Sequence, residues 1–221
     1  RDLYEEEKRL ARERMLAELK EGNNKRSRFV FLQLLTKLRQ LANHPSLAGF
    51  EGYNESGKFE EITRNIESVI NEGHKVLVFS SFVQHLNLVA AYLDDSGIQY
   101  NILTGGTTNR QQVVEEFKKK EEVKVFLISL KAGGVGLNLT EADYVFIIDP
   151  WWNPAAENQA ISRSHRIGQA NRVFAYRFIT TDSIEERIMD LQRQKSELAD
   201  IFVNSNNPLS KISEDILLQL F

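Results

Sequence analysis

Four short apolar runs, each followed by a stretch with helical periodicity, constrain this chain more than any other feature. Residues 75–79 read KVLVF, 100–103 YNIL, 123–128 VKVFLI and 144–148 YVFII. Each run is strand-length, and its apolar residues are too continuous to alternate between core and water. A strand buried on both faces has this composition, because helices cover the sheet on either side. Residues 172–179 supply a fifth strand. Helices fit between the runs at 58–71, 83–95, 108–119 and 154–165. Such alternation predicts an α/β fold, a parallel sheet of βαβ units with helices on both faces.

The flanks read differently. Residues 1 to about 42 predict two helices. Leu3, Leu10, Leu16 and Leu19 lie among Glu, Lys and Arg, and Gly22-Asn23-Asn24 interrupts the pattern. The second helix starts near Ser27, carries Phe31, Leu34, Leu35, Leu38 and Leu41, and stops before Pro45. Residues 46–56 form a connector. After the last strand, Ser183-Ile184-Glu185-Glu186 has a capping-box pattern, followed by an apolar stripe through Ile188, Leu191, Leu198 and Phe202. The expected division is a helical region with connector over 1–56, an α/β lobe over 57–181 and C-terminal helices over 182–221.

Composition excludes several classes. The chain has 221 residues, 42% hydrophobic and 27% charged, ordinary values for a globular protein with a sizeable core. No apolar run approaches the roughly 20 residues that span a bilayer, and no signal peptide is visible, so no membrane partner is expected. The chain begins at Arg1, from which an excised piece of a longer protein is expected. It has no cysteine, which removes disulfides and zinc–thiolate sites and fits a reducing, intracellular setting. His44, His74, His85 and His165 are scattered, so no metal site is expected. The net charge of −3 argues weakly against nucleic acid, but its distribution matters more. Arg163, Arg166, Arg172 and Arg177 follow one another with no acid between them.

Ligands of open α/β sheets bind beyond the carboxyl ends of the strands. Ser80-Ser81 follow the first run, and Thr104-Gly105-Gly106-Thr107 the second. Ser129 opens SLKAGGVG after the third, and Asp149-Pro150-Trp151-Trp152-Asn153 follow the fourth. One small-residue turn is ordinary turn chemistry. Four on one edge offer backbone N–H groups and helix N-termini to phosphates. Asn153-Pro154 caps and opens the next helix. Gln159, Arg163 and Arg166 then fall at i, i+4 and i+7, on one face, where two arginines can clamp one phosphate group. A solvated basic face is the commoner fate of helix arginines, but this helix starts from the ligand edge. Trp151-Trp152 offers a stacking group for nucleic acid. Gly52-x-x-x-x-Gly57-Lys58 imitates a P-loop, yet no apolar strand precedes it and Phe59 stands where the Mg²⁺-binding hydroxyl belongs. Its expected role is a loop and helix start, with Ser56 as N-cap. The chain thus carries phosphate clamps without the means to hold and activate a nucleoside triphosphate alone.

These residues resemble the C-terminal RecA-like lobe of Swi/Snf-type ATPases, the superfamily-two double-stranded DNA translocases, over nearly the whole chain. Residues 38–45, LRQLANHP, look like the family's LRQxxxHP segment in a helical protrusion, and Ser56-Gly57-Lys58 like its SGK opening. Val78-Phe79-Ser80-Ser81-Phe82 resembles motif IV, residues 103–107 the DGST-like motif, 129–140 motif V and 159–169, ending HRIGQ, motif VI. Residues 176–186 resemble the approach to the brace helix. Thr104 and Gly106 stand where Asp and Ser are usual in the DGST motif, Ser81 where Gln is common, and Ser162 where motif VI has Asp.

The resemblance implies a second motor lobe, inactive without a P-loop lobe that holds ATP and Mg²⁺. Arg163 and Arg166 would be arginine fingers. Gly134, Gly136 and Gln159 would line the nucleotide cleft. Ser80, Ser81, Gly105, Thr107, Ser129, Lys131 and Trp152 would face the backbone of double-stranded DNA. The partners implied are duplex DNA and the N-terminal RecA-like lobe of the same protein. A monomer at DNA inside the cell is expected. The competing reading is a non-enzymatic DNA-binding or protein-docking module, which would not need both arginines.

Overall fold

The computed structural model describes residues 1–21, 24–53, 55–133, 137–150, 154–162 and 172–193. The chain divides into two compact units, residues 57–179 and the flanks 1–56 with 180–221.

In the first unit, five strands form one parallel sheet in the order β2-β3-β1-β4-β5. They are β1 (Val76–Ser80), β2 (Tyr100–Leu103), β3 (Val125–Ser129), β4 (Tyr144–Ile147) and β5 (Phe174–Arg177). The helices are α3 (Gly57–Asn71), α4 (Val83–Asp95), α5 (Arg110–Lys119), α6 (Leu130–Gly133) and α7 (Pro154–Ile161). Side chains alternate across the sheet, so each central strand feeds two cores. Val76, Val78, Val125, Leu127, Phe146 and Ile148 pack under Ile62 and Ile66 of α3 and Leu86, Val89 and Leu93 of α4. Leu77, Phe79, Phe126, Ile128, Val145 and Ile147 pack on the other face with Phe117 of α5 and Ala160 of α7. The parallel α/β sheet expected from the alternation is therefore present, with helices on both faces.

The runs are not equally buried. β1 and β3 are buried throughout, but all four residues of β5 are exposed and three of the four in β2 are partly so. These two are the edge strands, each with one neighbour. The fifth strand is also shorter than 172–179. The third begins at Val125 rather than Val123, where pairing with Val76 and Tyr100 starts. α5 begins at Arg110 rather than 108.

In the second unit, α1 (Asp2–Lys20) and α2 (Asn24–Asn43) lie antiparallel. Glu7 meets Lys37 at 2.6 Å and Glu18 meets Arg26 at 3.1 Å. α2 begins three residues before Ser27 and ends ahead of Pro45, as that proline requires. A 3₁₀ turn, Pro45–Ala48, follows. The His44 ring accepts the Ser46 amide, and Gly49 closes the turn at φ +87°. α8 (Ile184–Arg193) packs on α2. Its predicted capping box is displaced by one residue: Ser183 Oγ accepts the Glu185 amide at 3.1 Å, while Glu186 reaches back to the Asp182 amide at 2.9 Å. Asp182 has a positive φ of 56°, which brings its N–H within that reach.

Candidate nucleotide-motor edge

The sequence of connections locates the site. From β1 the chain leaves through α4 toward β2, on one side of the sheet. From β4, the other neighbour of β1, it leaves through α7 toward β5, on the opposite side. Adjacent strands whose continuations diverge open a crevice at their carboxyl ends, where α/β sheets bind ligands. Ser80 ends β1 there, and Asp149 follows β4 by two residues.

Asp149 is fully buried. Its carboxylate accepts the Ser80 and Ser81 hydroxyls, and the Ser81 amide lies 3.1 Å from both of its oxygens. Ser80 Oγ in turn accepts the Phe82 amide at 3.0 Å, which shapes the turn into α4. Ser80 is itself fully buried, and Ser81 is half-buried. Their polar groups are thus donated inward.

Two strands from β1, at the edge of the sheet, a second turn follows β2. Thr107 N donates to the Thr104 carbonyl at 3.2 Å, and Thr104 N to Thr107 Oγ1 at 3.0 Å. This closed turn leaves Gly105 and Gly106 exposed at its tip. After β3, buried Ser129 caps α6 by accepting the Ala132 amide at 3.2 Å. Lys131 is exposed on that short helix. Arg110, at the start of α5, donates to the Ala132 carbonyl at 2.5 Å and binds α6 to its neighbour. α7 starts at Pro154 as expected, and Gln159 is exposed on it. The buried carboxylate of Glu157, also on α7, takes the Arg177 guanidinium of β5 at 2.7 Å.

The described turns after β1, β2 and β3 and the start of α7 therefore share one sheet edge. Gly134, Gly136, Trp151, Trp152, Asn153, Arg163 and Arg166 lie outside the described residues. Sequence reading left Asp149, Arg110 and Glu157 without roles. For Asp149 a signal existed, since a lone carboxylate directly after a buried run needs donors, and Ser80-Ser81 supply them. For Arg110 and Glu157 no local pattern distinguishes them from solvated helix charges.

A doubly wound parallel sheet with Ser-, Gly- and Asp-bearing turns gathered at its switch point defines a RecA-like lobe. Residues 57–168 match the helicase conserved C-terminal domain family. An "Uncharacterized ATP-dependent helicase" of Mycoplasma pneumoniae is 39% identical over 99% of this chain and 21% of its own length. The Arabidopsis thaliana "DNA repair protein RAD5B" is 41% identical over 67% of the chain and 12% of its own length. Among solved structures, the Sulfolobus solfataricus SWI2/SNF2 ATPase core in complex with dsDNA matches with a TM-score of 0.80 and 26% identity, over all of this chain and 47% of that one. The C-terminal domain of the Sulfolobus solfataricus SWI2/SNF2 ATPase matches at 0.76 and 25%, over 98% of this chain and 92% of that one. The chain belongs to the helicase conserved C-terminal domain family, as the second RecA-like lobe of a Swi2/Snf2-type ATPase. It spans about a fifth or less of the two curated relatives.

Proposed function

We propose that the chain is the second motor lobe of an ATP-dependent double-stranded DNA translocase and is inactive without its P-loop lobe. The observation that carries this is the convergence of the Ser81, Thr104–Thr107 and Ser129–Lys131 turns with the start of α7 on one carboxyl edge. Their likeness to a core solved with duplex DNA supports the same reading. On it, exposed Lys131 and Gly105, with Thr107 and Trp152, follow the DNA backbone. Buried Ser80 and Ser129 shape the turns rather than touch the strand, and Ser81 joins them through Asp149. Gln159, Gly134 and Gly136 line the nucleotide cleft.

Among the described residues no group of three His, Asp or Glu side chains is placed to hold a metal ion. On this reading ATP and Mg²⁺ are held mainly by the P-loop lobe, as the resemblance to Swi/Snf-type ATPases implies. Arg163 and Arg166 would reach the transferring phosphoryl group when the lobes close. The working unit is a monomer at DNA. Among the described residues no helix is long and apolar enough to cross a membrane.

The test is Arg166→Ala in the two-lobe protein. ATP turnover should fall roughly 10³-fold, the scale of a lost arginine finger, with little change in DNA affinity. Arg163→Ala should behave similarly, and Lys at either position should not rescue, because a point charge lacks the planar two-bond contact. Near-normal turnover with lost DNA binding would instead make Arg163 and Arg166 DNA contacts.

A further inference from the structure

We propose that Asp149 is a positioning residue whose buried carboxylate staples the β1–α4 turn to the β4–α7 connection, and so couples the DNA-facing edge to the segment that leads to the arginines. The staple itself rests on geometry alone; its use in coupling rests on the motor-lobe reading above.

The backbone ladder between β1 and β4 ends where the Ile148 amide donates to the Phe79 carbonyl at 3.0 Å. Beyond that point the two chains diverge, and Asp149 provides the next link. It reaches Ser80 and Ser81, 69 and 68 residues earlier in the chain. The Ser81 amide is equidistant from the two carboxylate oxygens at 3.1 Å, while each oxygen also takes one hydroxyl. Only a group with two equivalent acceptors satisfies three donors from one strand end in this way. An Asn of nearly the same shape has one acceptor oxygen, and its NH₂ would confront a donor.

Burial raises the consequence of any mismatch. Asp149 and Ser80 are both fully buried, so water cannot substitute for a lost partner. The residue has few positions open to it, and the two turns it joins move together. Pro150 follows at once, and α7 begins four residues later at Pro154. A displacement of the turn after β1 on DNA binding is thereby passed toward the start of α7, whose first turn is itself held to β5 by Glu157 and Arg177.

The experiment uses the full-length protein. Asp149→Asn is expected to reduce DNA-stimulated ATP turnover about tenfold, while turnover without DNA and DNA affinity change by less than about twofold, a split typical of coupling between sites. Ser81→Ala should lose part of the stimulation and Ser81→Thr, which keeps the hydroxyl, should retain it. Ser81→Ala added to Asp149→Asn should cost little more, because the two share one interaction. In hydrogen exchange, Asp149→Asn should accelerate exchange in both residues 81–86 and the start of α7, with β1, β3 and β4 unchanged. Faster exchange across the whole sheet, or equal losses of turnover with and without DNA, would mean that Asp149 only stabilises the lobe and would overturn the proposal. Acceleration confined to one of the two turns overturns the staple. Absence of DNA-stimulated turnover in the unaltered protein would refute the motor-lobe reading and the coupling, while the exchange pattern would still decide the staple.

Discussion

Tyr4 joins the first helix to the last through one atom, its hydroxyl oxygen accepting the Ile184 amide at 2.7 Å. That amide is among the first of α8, where no intrahelical acceptor is available. Burial is the largest influence on the phenol and raises its pKa above the ordinary 10.0. The folded state therefore keeps this proton after the unfolded chain has lost it. The stabilisation is complete below about pH 10 and declines as pH rises from there through the folded value. Tyr4→Phe should lower stability by about 1–3 kcal/mol at neutral pH, the range for a buried donor left unsatisfied, and should flatten part of the alkaline decline. Tyr92, Tyr100 and Tyr144 shift the same way, so the informative quantity is the difference between mutant and parent in melting temperature from pH 7 to 11. Arg177 gives a second test. Its removal leaves Glu157 buried without that partner, and because the guanidinium is itself 36% exposed, Arg177→Ala should cost about 3 kcal/mol, the lower end for a broken buried pair. Chemical denaturation measures it.

At the scale of elements, α6 lies close against the sheet. A Cβ on Gly133 would stand 3.2 Å from Phe79 Cε1 and 3.4 Å from Ile128 Cγ2. Both are core side chains of neighbouring strands, so the glycine permits α6 to lie close on the sheet. Gly133→Ala should therefore destabilise the lobe by about 1–3 kcal/mol, as overpacking does, and displace the Ser129–Lys131 turn with it. Lys131, exposed on the same helix, should matter for a different reason. Lys131→Ala should leave the melting temperature unchanged, weaken duplex binding for all sequences alike, and reduce the salt slope by about one counterion. A mutant with normal affinity and slope would remove Lys131 from the DNA edge.

At the scale of the molecule, the chain is, on the motor-lobe proposal, one half of a composite site. The isolated chain should show no ATP hydrolysis with or without DNA, measured as phosphate release after purification that removes contaminating ATPases. DNA-stimulated turnover by this chain alone would refute the half-site. Binding to duplex DNA should be weak, without sequence preference, and steeply reduced by salt, since phosphate contacts position a protein without reading bases. A sequence-selective or salt-independent titration would contradict that edge.

Much of this fold was legible because it depends on local composition. Continuous apolar runs such as those at β1 and β3 can only be satisfied between two helical layers, and Pro45 and Pro154 set helix limits through their missing N–H. Turn chemistry placed Ser80-Ser81, Thr104–Thr107 and Ser129 at strand ends, and the likeness of residues 38–45 and 159–169 to Swi/Snf motifs carried the family. Strand order was not legible. It arises from which crossovers bury most apolar surface, and it decided that β2 and β5 became partly exposed edges despite their apolar residues. The partners of buried charges were equally hidden, because Asp149 and Ser80 are 69 residues apart and Glu157 and Arg177 are 20 residues apart. Sequence by itself determined the elements and the chemistry of their turns, through periodicity and backbone constraint. Only the tertiary structure decided which turns share a crevice and which polar groups are spent on each other, because a buried hydrogen bond is specified by position in space and not by distance along the chain.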